Sequence, residues 1–302
     1  MRHHLRFGLA AAAICLPAAA SAREPVVLAP VKPWNLHYAD NSCQLFRQFG
    51  DAAKPTTFVL ERLAPDTPFT MMVFGHALSA KPDGRKAAAA FIPDTGQRFD
   101  EGEVTETIKG RQTAIHWSRI GLLPKDAAEE KSTPDRKRNP AKEAAEQQLE
   151  RELAAKITAL QITEPNKRVT VLQTGSLAKV AEMLRACNRE QMEDWGLDPA
   201  VQDKIVLNAT SKRTLASLFT YNDYPALALE AGQMSVVSAR LIVGADGNVS
   251  RCTSLTPFIG EGFKEVVCAR LSKATFEPAE LADGTKVPTF VTVRIKFLLP
   301  GV

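Results

Sequence analysis

Beyond its first 22 residues, the chain has no apolar run long enough to cross a membrane as a helix, which takes about 20 residues. It also has little net charge, because 38 Lys and Arg face 34 Asp and Glu, giving a formal net charge of +4. A nucleic-acid-binding protein needs a concentrated basic face, so this balance argues against nucleic acid as a partner. The apolar fraction, 45%, is that of a globular chain.

Complete catalytic motifs are absent as well. Asp94 begins an Asp-Thr-Gly triplet, but it occurs once, whereas the aspartic-protease mechanism needs two carboxylates. Ser176 and Lys179 match the Ser-x-x-Lys of penicillin-interacting enzymes without the motifs that accompany it. Gly-rich phosphate loops are also missing. We therefore expect no enzyme activity and no cofactor. The alternative is an enzyme in the N-terminal region, with a polar pocket around Asp94 or His116.

The first 22 residues have the pattern of a secretory signal. Two arginines form a positive start, residues 7–16 form a short apolar segment, and the small residues 20–22 predict cleavage after Ala22. A retained inner-membrane anchor is the alternative, but the segment is short, Ala-rich and interrupted by Pro17. Cleavage would remove two positive charges, lower the formal net charge to +2, and leave a periplasmic protein that does not span the membrane.

Residues 23–200 have the pattern of a β-rich domain with a closing helix. Runs of β-branched and aromatic residues between turn signals predict strands at 56–63, 69–76, 87–93, 111–117 and 168–172. A helix is predicted from Ser176, and its apolar face would carry Leu177, Val180, Ala181, Leu184 and Cys187.

An insertion at about 125–161 interrupts this domain. It opens with mixed charges, which we expect to form a mobile, solvated loop. Asn139 then offers an N-cap, Pro140 a first helical residue, and strong helix formers follow as far as Leu160. A narrow apolar stripe is expected to pack on its own domain rather than dock a partner; it consists of Leu149, Leu153, Ile157 and Leu160.

Four cysteines follow the predicted signal, and an even number in an exported protein predicts two disulfides. Metal is not expected, because no two cysteines stand at CxxC spacing and the histidines are scattered. Four cysteines allow three pairings. We favour Cys43–Cys187 and Cys252–Cys268, because each then closes within one predicted domain.

After a linker at 201–223, residues 224–302 predict a small β-β-α-β unit, so the whole chain is assigned to the α+β class. Strands at 235–243 and 249–255 flank a turn in which Gly247 suits a positive φ. An amphipathic helix is predicted at 261–274, and a strictly alternating strand at 290–297. One helix covers one face of such a sheet, so we expect the other face or an edge to stay available.

This C-terminal segment resembles the C-terminal domain of TonB over about a quarter of the chain. The residues that carry the resemblance occur in the family's order and spacing: Tyr224, Pro225, Ala228, Asp246, Gly247, Phe276, Glu277, Pro278 and the strand 291–297. Ser235 departs from the pattern, since the family usually has Gly there. Upstream, the cysteine-containing segments at 33–50 and 184–199 are similar to those of TonB-like energy transducers of sphingomonad-like bacteria.

The resemblance implies a binding edge on the last strand, where an extended peptide adds as a further strand. The residues of that edge would be Thr289, Phe290, Val291, Thr292, Val293, Arg294, Ile295, Lys296 and Phe297. The two basic side chains suit acidic groups on a partner, although edge strands also carry charge merely to prevent aggregation.

The implied function is a periplasmic TonB-like binding protein, linked to TonB-dependent transport, whose partner is an outer-membrane TonB-dependent receptor or another envelope protein. The alternative is an envelope structural protein that reuses the fold to contact peptidoglycan or an assembly partner. A true TonB has an uncleaved anchor that meets ExbB and ExbD, and a long Pro-rich spacer. This chain shows neither pattern, which argues against contact with ExbB and ExbD.

Overall fold

The structure is a computed structural model that describes residues 24–65, 67–107, 112–123, 135–256 and 262–299. The predicted signal and its cleavage position lie outside the described residues, as does most of the mixed-charge start of the insertion. Among the helices of the described ranges, none is both long and apolar enough to cross a membrane.

The N-terminal domain is built on one large, curled sheet. Its strands are β1 (Val26–Leu28), β2 (Asn35–Ala39), β3 (Ser42–Asp51), β4 (Lys54–Arg62), β5 (Phe69–Gly75), β6 (Ala87–Ile92), β7 (Arg98–Glu106), β8 (Thr113–Ile120), β9 (Ala159–Thr163) and β10 (Val169–Leu172). They lie in the order β1-β10-β9-β6-β7-β8-β5-β4-β3-β2. The five predicted strands correspond to β4, β5, β6, β8 and β10.

The sheet curls so far that the residues following β1, at one end of the sheet, come close to β3 near the other end. β1 runs parallel to β10, and the residues just after β1 bond to β3 instead. Val31 N donates to Gln48 O, and Gly50 N donates to Ala29 O, both at 2.8 Å. The curl thus encloses one apolar core.

Helix α1 spans Pro140–Lys156, and helix α2 (Ala178–Asp194) packs on β2, β3 and β4 inside this curl. The predicted inner face of α2 is confirmed, because each of its members is buried: Leu177, Val180, Ala181, Leu184 and Cys187. Cys187 lies at the end of that face, 6.1 Å from Cys43 between Cα atoms, and the two form a disulfide. The favoured pairing is therefore confirmed for this pair. In the chain-entropy model a loop of this size stabilises by about 5 kcal/mol.

Helix α1 is shorter than predicted. It begins as expected, with the Asn139 side chain accepting from Lys142 N at 3.1 Å. The prediction of helix as far as Leu160 is wrong, because Ile157 is extended (ψ 135) and the chain then forms β9. β9 pairs with β6 on one side and β10 on the other, and these two ladders outweigh local helix propensity.

The predicted apolar stripe is confirmed in part. Ile157 and Leu160 are buried as expected, although both lie beyond the end of α1. Leu149 is 36% exposed, and the buried residues of α1 itself are Glu150 and Ala154. Glu150 lies between two arginines, accepting from Arg62 at 2.6 Å and from Arg185. The helix nevertheless packs on its own domain against α2, as expected.

The C-terminal domain adds further elements to the α+β fold. They are α3 (Pro199–Gln202), β11 (Ile205–Leu207), β12 (Thr210–Ser211), α4 (Ala226–Glu230), β13 (Ser235–Val243), β14 (Val249–Ser254), α5 (Phe263–Leu271), β15 (Phe276–Glu277), β16 (Ala279–Leu281), β17 (Lys286–Val287) and β18 (Thr289–Phe297). Its main sheet has the order β14-β13-β18. Three short strands, β15 to β17, stand between α5 and β18, so the order is richer than the β-β-α-β that the sequence predicts.

The second disulfide joins β14 to α5. The Cα atoms of Cys252 and Cys268 are 5.5 Å apart, which confirms the favoured pairing here too. Helix α5 lies over β13 and β14, and it buries Phe263, Val267 and Leu271 against them. The predicted helix extended further at both ends, and its first predicted residue, Glu261, lies outside the described residues.

The segment predicted as a linker, 201–223, is built into the C-terminal domain. β11 pairs with β16, and β12 pairs with β15. The end of the insertion joins them, since Arg138 N donates to Val206 O at 2.9 Å and Asn208 N donates to Arg136 O at 2.7 Å. The insertion thereby connects the N-terminal sheet to the C-terminal domain.

Candidate functional site

The Asp-Gly turn and the Phe-Glu-Pro segment meet at one end of the C-terminal sheet. Gly247 has φ +82, and a Cβ on it would lie 2.2 Å from the carbonyl oxygen of Phe276, so only glycine fits. Phe276 N donates to Gly247 O at 2.8 Å. Asp246 accepts from Asn248 N at 3.0 Å, and this hydrogen bond lowers the pKa of its carboxyl. These motif residues shape the turn that sets the β13–β14 register.

Tyr224 braces the opposite end of the sheet, and Pro225 caps the start of α4 beside Gly262. The Tyr224 ring packs edge-on against Phe263 and Phe297, at 5.7 and 5.6 Å between centroids. Its hydroxyl donates to Gln233 O at 2.5 Å. The segment before it adds Phe219, whose ring lies 6.0 Å from Phe297. The end of β18 is therefore held in place by this aromatic cluster.

Asp223 is a further bracing residue, which the sequence analysis missed. Its carboxylate accepts from Thr220 N at 2.7 Å and from Arg270 Nε at 2.6 Å. The hydrogen bond from the Thr220 backbone lowers its pKa most, and the contacts with Arg270 add to this effect. An Asp three residues after a Thr is a capping-box pattern that could have identified it.

β18 is an edge strand, since within the described sheets it pairs with β13 alone. Its odd-numbered side chains face α5, where Val291, Val293 and Phe297 are buried. Its even-numbered side chains face the other way, onto what we call the outer face of the sheet. Along this face Phe290, Thr292 and Arg294 are half-buried and Lys296 is exposed. The predicted edge residues are thus brought together on one strand.

The direction of the main-chain groups follows from the neighbouring ladder. Leu255 N donates to Ser238 O at 2.8 Å, so the main-chain groups of Ser238 point towards β14. Main-chain direction alternates along a strand, so those of Ala239 point towards β18. The register pairs Ala239 with Val293, which therefore bonds to β13.

The alternate residues of β18 consequently bond in opposite directions. The residues whose main-chain groups point to β13 are Val291, Val293 and Ile295. The residues whose main-chain N–H and C=O groups point away from β13 are Thr292, Arg294 and Lys296. We call this second row the β18 edge.

The start of β18 is closed by the region between the domains. Thr289 is buried, and its hydroxyl donates to Gln202 Oε1 at 2.7 Å. Gln202 Nε2 donates in turn to Pro288 O at 2.9 Å. The Phe290 ring packs edge-on against Trp195 at 5.5 Å between centroids. The first residues of β18 are therefore covered as far as Phe290.

The outer face near this end is covered by the N-terminal domain, in what we call the domain junction. Trp195 and Leu197 of the N-terminal domain are buried against Ile242 of β13. Arg240 is only 3% exposed, and its guanidinium lies 3.6 Å from the centroid of the Trp195 ring. Arg240 and Ile242 lie two residues apart on β13 and so share a face, but the sequence does not reveal what covers that face.

The charge of Arg240 is held by carbonyl oxygens and an aromatic ring. Its guanidinium donates to Asn41 O at 3.4 Å and to Leu63 O at 3.5 Å. Burial, with a smaller effect from the nearby charge of Arg251, lowers its pKa to about 10. Arg251 donates to Trp195 O at 2.8 Å, so both arginines fix the same tryptophan.

Asp94 and Ser176, which were weighed as catalytic candidates, bond to main-chain groups close to them in sequence. Asp94 is exposed, and its carboxylate accepts from Gly96 N at 2.8 Å within a turn. Ser176 Oγ accepts from Ala178 N at 3.3 Å at the start of α2. His116 lies half-buried on β8, and burial lowers its pKa. Across the described ranges, no three His, Cys, Asp or Glu residues are grouped as metal ligands would be.

Comparison with known proteins agrees with the resemblance. Residues 220–299 match the family model described as Gram-negative bacterial TonB protein C-terminal. No curated protein matches the chain. The C-terminal domain is therefore similar to the TonB C-terminal family, whose members generally interact with outer-membrane receptors. The match leaves the N-terminal domain without an assigned family.

Proposed function

Because its C-terminal domain is of the TonB type, we propose that this protein binds an extended peptide of an outer-membrane TonB-dependent receptor. The peptide adds as a fourth strand beside β18. One observation carries the proposal: main-chain groups of Thr292, Arg294 and Lys296 point away from the only strand that pairs with β18 in the described sheets. An extended partner bonds to such a row through its own main chain.

The closed start of β18 limits where the peptide lies. Since Thr289 is buried and Phe290 packs on Trp195, the added strand runs beside residues 291–297. The domain junction covers the outer face at that closed end, and the hydroxyl oxygen of the neighbouring Thr292 is also buried. Binding at the β18 edge is thus compatible with the packing between the two domains.

We further propose that the protein works in the periplasm after cleavage behind Ala22, as a binding protein and not as an enzyme. β1 begins at Val26, so a mature chain starting at Arg23 keeps its first strand and its pairing with β10. Such a chain binds receptors without an anchor of its own to meet ExbB and ExbD. N-terminal sequencing of the protein from fractionated cells tests this: Arg23 in the periplasm is expected, and an intact Met1 in the inner membrane would contradict it.

Pull-down from solubilised envelope extracts tests the binding proposal with two variants of one residue. Arg294→Pro removes an outward-pointing N–H and places a ring at the β18 edge. An edge strand tolerates proline at such a position, because the lost N–H does not bond to the neighbouring strand. Arg294→Ala removes the same side chain but keeps the N–H. We expect receptors to be recovered by the wild type and Arg294→Ala and lost with Arg294→Pro.

Two results of the pull-down would contradict receptor binding by strand addition. Equal recovery by both variants would show that the β18 edge is not used. Recovery of cell-wall fragments or soluble envelope proteins in place of receptors would favour the alternative, an envelope structural or interaction protein. Circular dichroism melts of both variants serve as the folding control.

A further inference from the structure

The convex face of the N-terminal sheet, which is turned away from the core, carries large apolar side chains. Leu45, Leu60 and Val73 point into the core, so their neighbours in sequence point to the convex face. The solvent-facing side of an antiparallel sheet usually carries polar residues. Four neighbours depart from this rule, since they are apolar and half-buried, and none of them joins a core cluster of the described residues: Phe46, Val59, Met72 and Phe74.

The strand register places these four side chains next to one another. Phe46 pairs with Val59, and Val59 pairs with Met72. Phe74 follows Met72 by two residues on β5 and therefore shares its face. Side chains at facing positions of paired strands have Cβ atoms about 5 Å apart and interact. The four thus form one continuous apolar surface, which we call the apolar island.

The apolar island lies in the interior of the sheet. β3 is flanked by β2 and β4, β4 by β3 and β5, and β5 by β4 and β8. The main-chain groups under the island are therefore used within the sheet, and strand addition is not possible there. An extended segment laid on the island would bury its own main-chain groups without partners, which is costly. A helix bonds these groups internally, so the island suits the apolar stripe of a helix.

A carboxylate with a fixed position borders the apolar island. Glu61 follows Val59 by two residues and shares its face. Its Oε1 accepts from Ser42 Oγ at 2.5 Å and from Gln44 Nε2 at 2.9 Å. Both hydrogen bonds go to one oxygen, and Oε2 takes none from the described residues. This second oxygen is available to a cationic group on a partner.

A second carboxylate lies at the far end of the row that begins at Phe46. Met72 pairs with His116, and His116 pairs with Glu103. Burial lowers the pKa of His116 below its ordinary value of 6.5, so its ring is neutral at pH 7. Glu103 is 64% exposed and pairs with Lys86 at 3.2 Å, an exposed contact that contributes little and that a partner can replace. The two carboxylates favour a partner with basic residues and disfavour the anionic surface of a membrane.

We propose that the apolar island binds an amphipathic helix of a partner protein, with Lys or Arg beside the apolar stripe of that helix. The row from Phe46 to Glu103 crosses five strands about 4.8 Å apart and is therefore about 19 Å long. At 1.5 Å per residue, a helix of about 13 residues spans it. The site belongs to the N-terminal domain and does not depend on strand addition at β18.

Two synthetic peptides test the proposal, both designed as amphipathic helices of about 14 residues with the same Leu stripe. One carries Lys on both sides of the stripe, and the other carries Glu. Binding of the fluorescein-labelled peptides to the mature full-length protein is measured by fluorescence anisotropy. We expect the Lys peptide to bind at least about tenfold more tightly than the Glu peptide.

Variants of the protein test the residues of the site. Phe46→Thr combined with Met72→Thr removes much of the apolar surface and keeps residue types that favour strands. This double variant should bind the Lys peptide at least about tenfold more weakly. Glu61→Gln keeps an acceptor oxygen for Ser42 and Gln44 but removes the charge. It should reduce the preference for the Lys peptide by about threefold or more.

Matched controls come from α4 in the other domain. Leu227→Thr and Glu230→Gln change an exposed apolar and an exposed acidic residue, and neither should alter binding of the peptides. Circular dichroism melts show whether each variant folds. If the double variant does not fold, the comparison of Glu61→Gln with Glu230→Gln decides.

Several results would overturn the proposal. They are equal binding of the two peptides, binding that neither the folded double variant nor Glu61→Gln weakens, and no binding at millimolar concentration. Analytical ultracentrifugation of the protein alone and co-sedimentation with vesicles of anionic phospholipid test other occupants of the island. Self-association that the double variant abolishes would assign the island to a second copy of the chain, and vesicle binding that it abolishes would assign the island to a membrane surface.

Discussion

The contact between Arg240 and Trp195 offers a quantitative test of the domain junction. Both side chains are almost fully buried, and the guanidinium lies 3.6 Å from the ring centroid. A desolvated cation–π contact stabilises by about 2 kcal/mol or more. Over the described part of the chain, no carboxylate forms a salt bridge with Arg240, so the ring is a principal partner of this buried charge.

Three variants isolate this contact in a double-mutant cycle. Trp195→Ala is expected to lower the free energy of unfolding by about 3–5 kcal/mol, because it opens a cavity and leaves the charge without its ring. Arg240→Met keeps most of the side-chain volume and removes the charge. It should cost no more than about 1 kcal/mol, since the lost attraction is offset by relief of the desolvation cost.

Once Arg240 is replaced by Met, Trp195→Ala should lower the free energy of unfolding by less than it does in the wild type. The difference is the coupling energy of the pair, which should be about 2 kcal/mol. The measurement is urea denaturation followed by far-UV circular dichroism, with separate fits if the two domains unfold in separate transitions. A coupling energy below about 0.5 kcal/mol would refute the reasoning. It would mean that Arg240 and Trp195 contribute independently.

Three further predictions concern buried or braced groups. Glu150→Gln should lower the free energy of unfolding by about 3 kcal/mol, because it leaves the buried Arg62 and the partly buried Arg185 without their carboxylate. Glu146 is more exposed, so Glu146→Gln should change it by less than about 0.5 kcal/mol in the same denaturation assay. Replacing both Cys252 and Cys268 by Ser should destabilise the C-terminal domain by roughly 3 kcal/mol, measured on its own thermal transition; an unchanged transition would contradict the disulfide. The pKa of the Asp223 carboxyl is lower in the folded protein than the ordinary value of 3.8. The ionised carboxylate therefore stabilises the fold fully above pH 3.8, and this stabilisation is lost as the pH falls through the pKa of the folded state. Asp223→Asn should therefore lose less stability than the wild type between pH 6 and pH 3, and an equal loss would show that this carboxylate is not the cause.

Features that depend on local periodicity could be predicted from the sequence. Alternation separated the two faces of β18, and the spacing of Leu177, Val180 and Leu184 placed the inner face of α2. The two disulfides followed from closing each loop within one domain.

Features that depend on distant partners could not be predicted. The residues of β9 follow a long run of helix formers, and only the neighbouring strands β6 and β10 make them extended. The domain junction joins Trp195 to Arg240 and Phe290, which are far apart in sequence. The outward direction of the β18 edge needed the bond between Leu255 and Ser238, because alternation fixes two sets of residues but not which set faces β13.

Amide hydrogen exchange, followed by NMR, tests strand addition to β18 most directly. In the free protein, the amides of Val291, Val293 and Ile295 bond to β13 and should exchange slowly, whereas those of Thr292 and Lys296, which point away from β13, should exchange more quickly. On saturation with a synthetic peptide copied from a receptor recovered in the pull-down, protection should increase at alternate residues only, at Thr292, Arg294 and Lys296. A bound peptide that leaves these three amides unprotected would contradict strand addition at this edge.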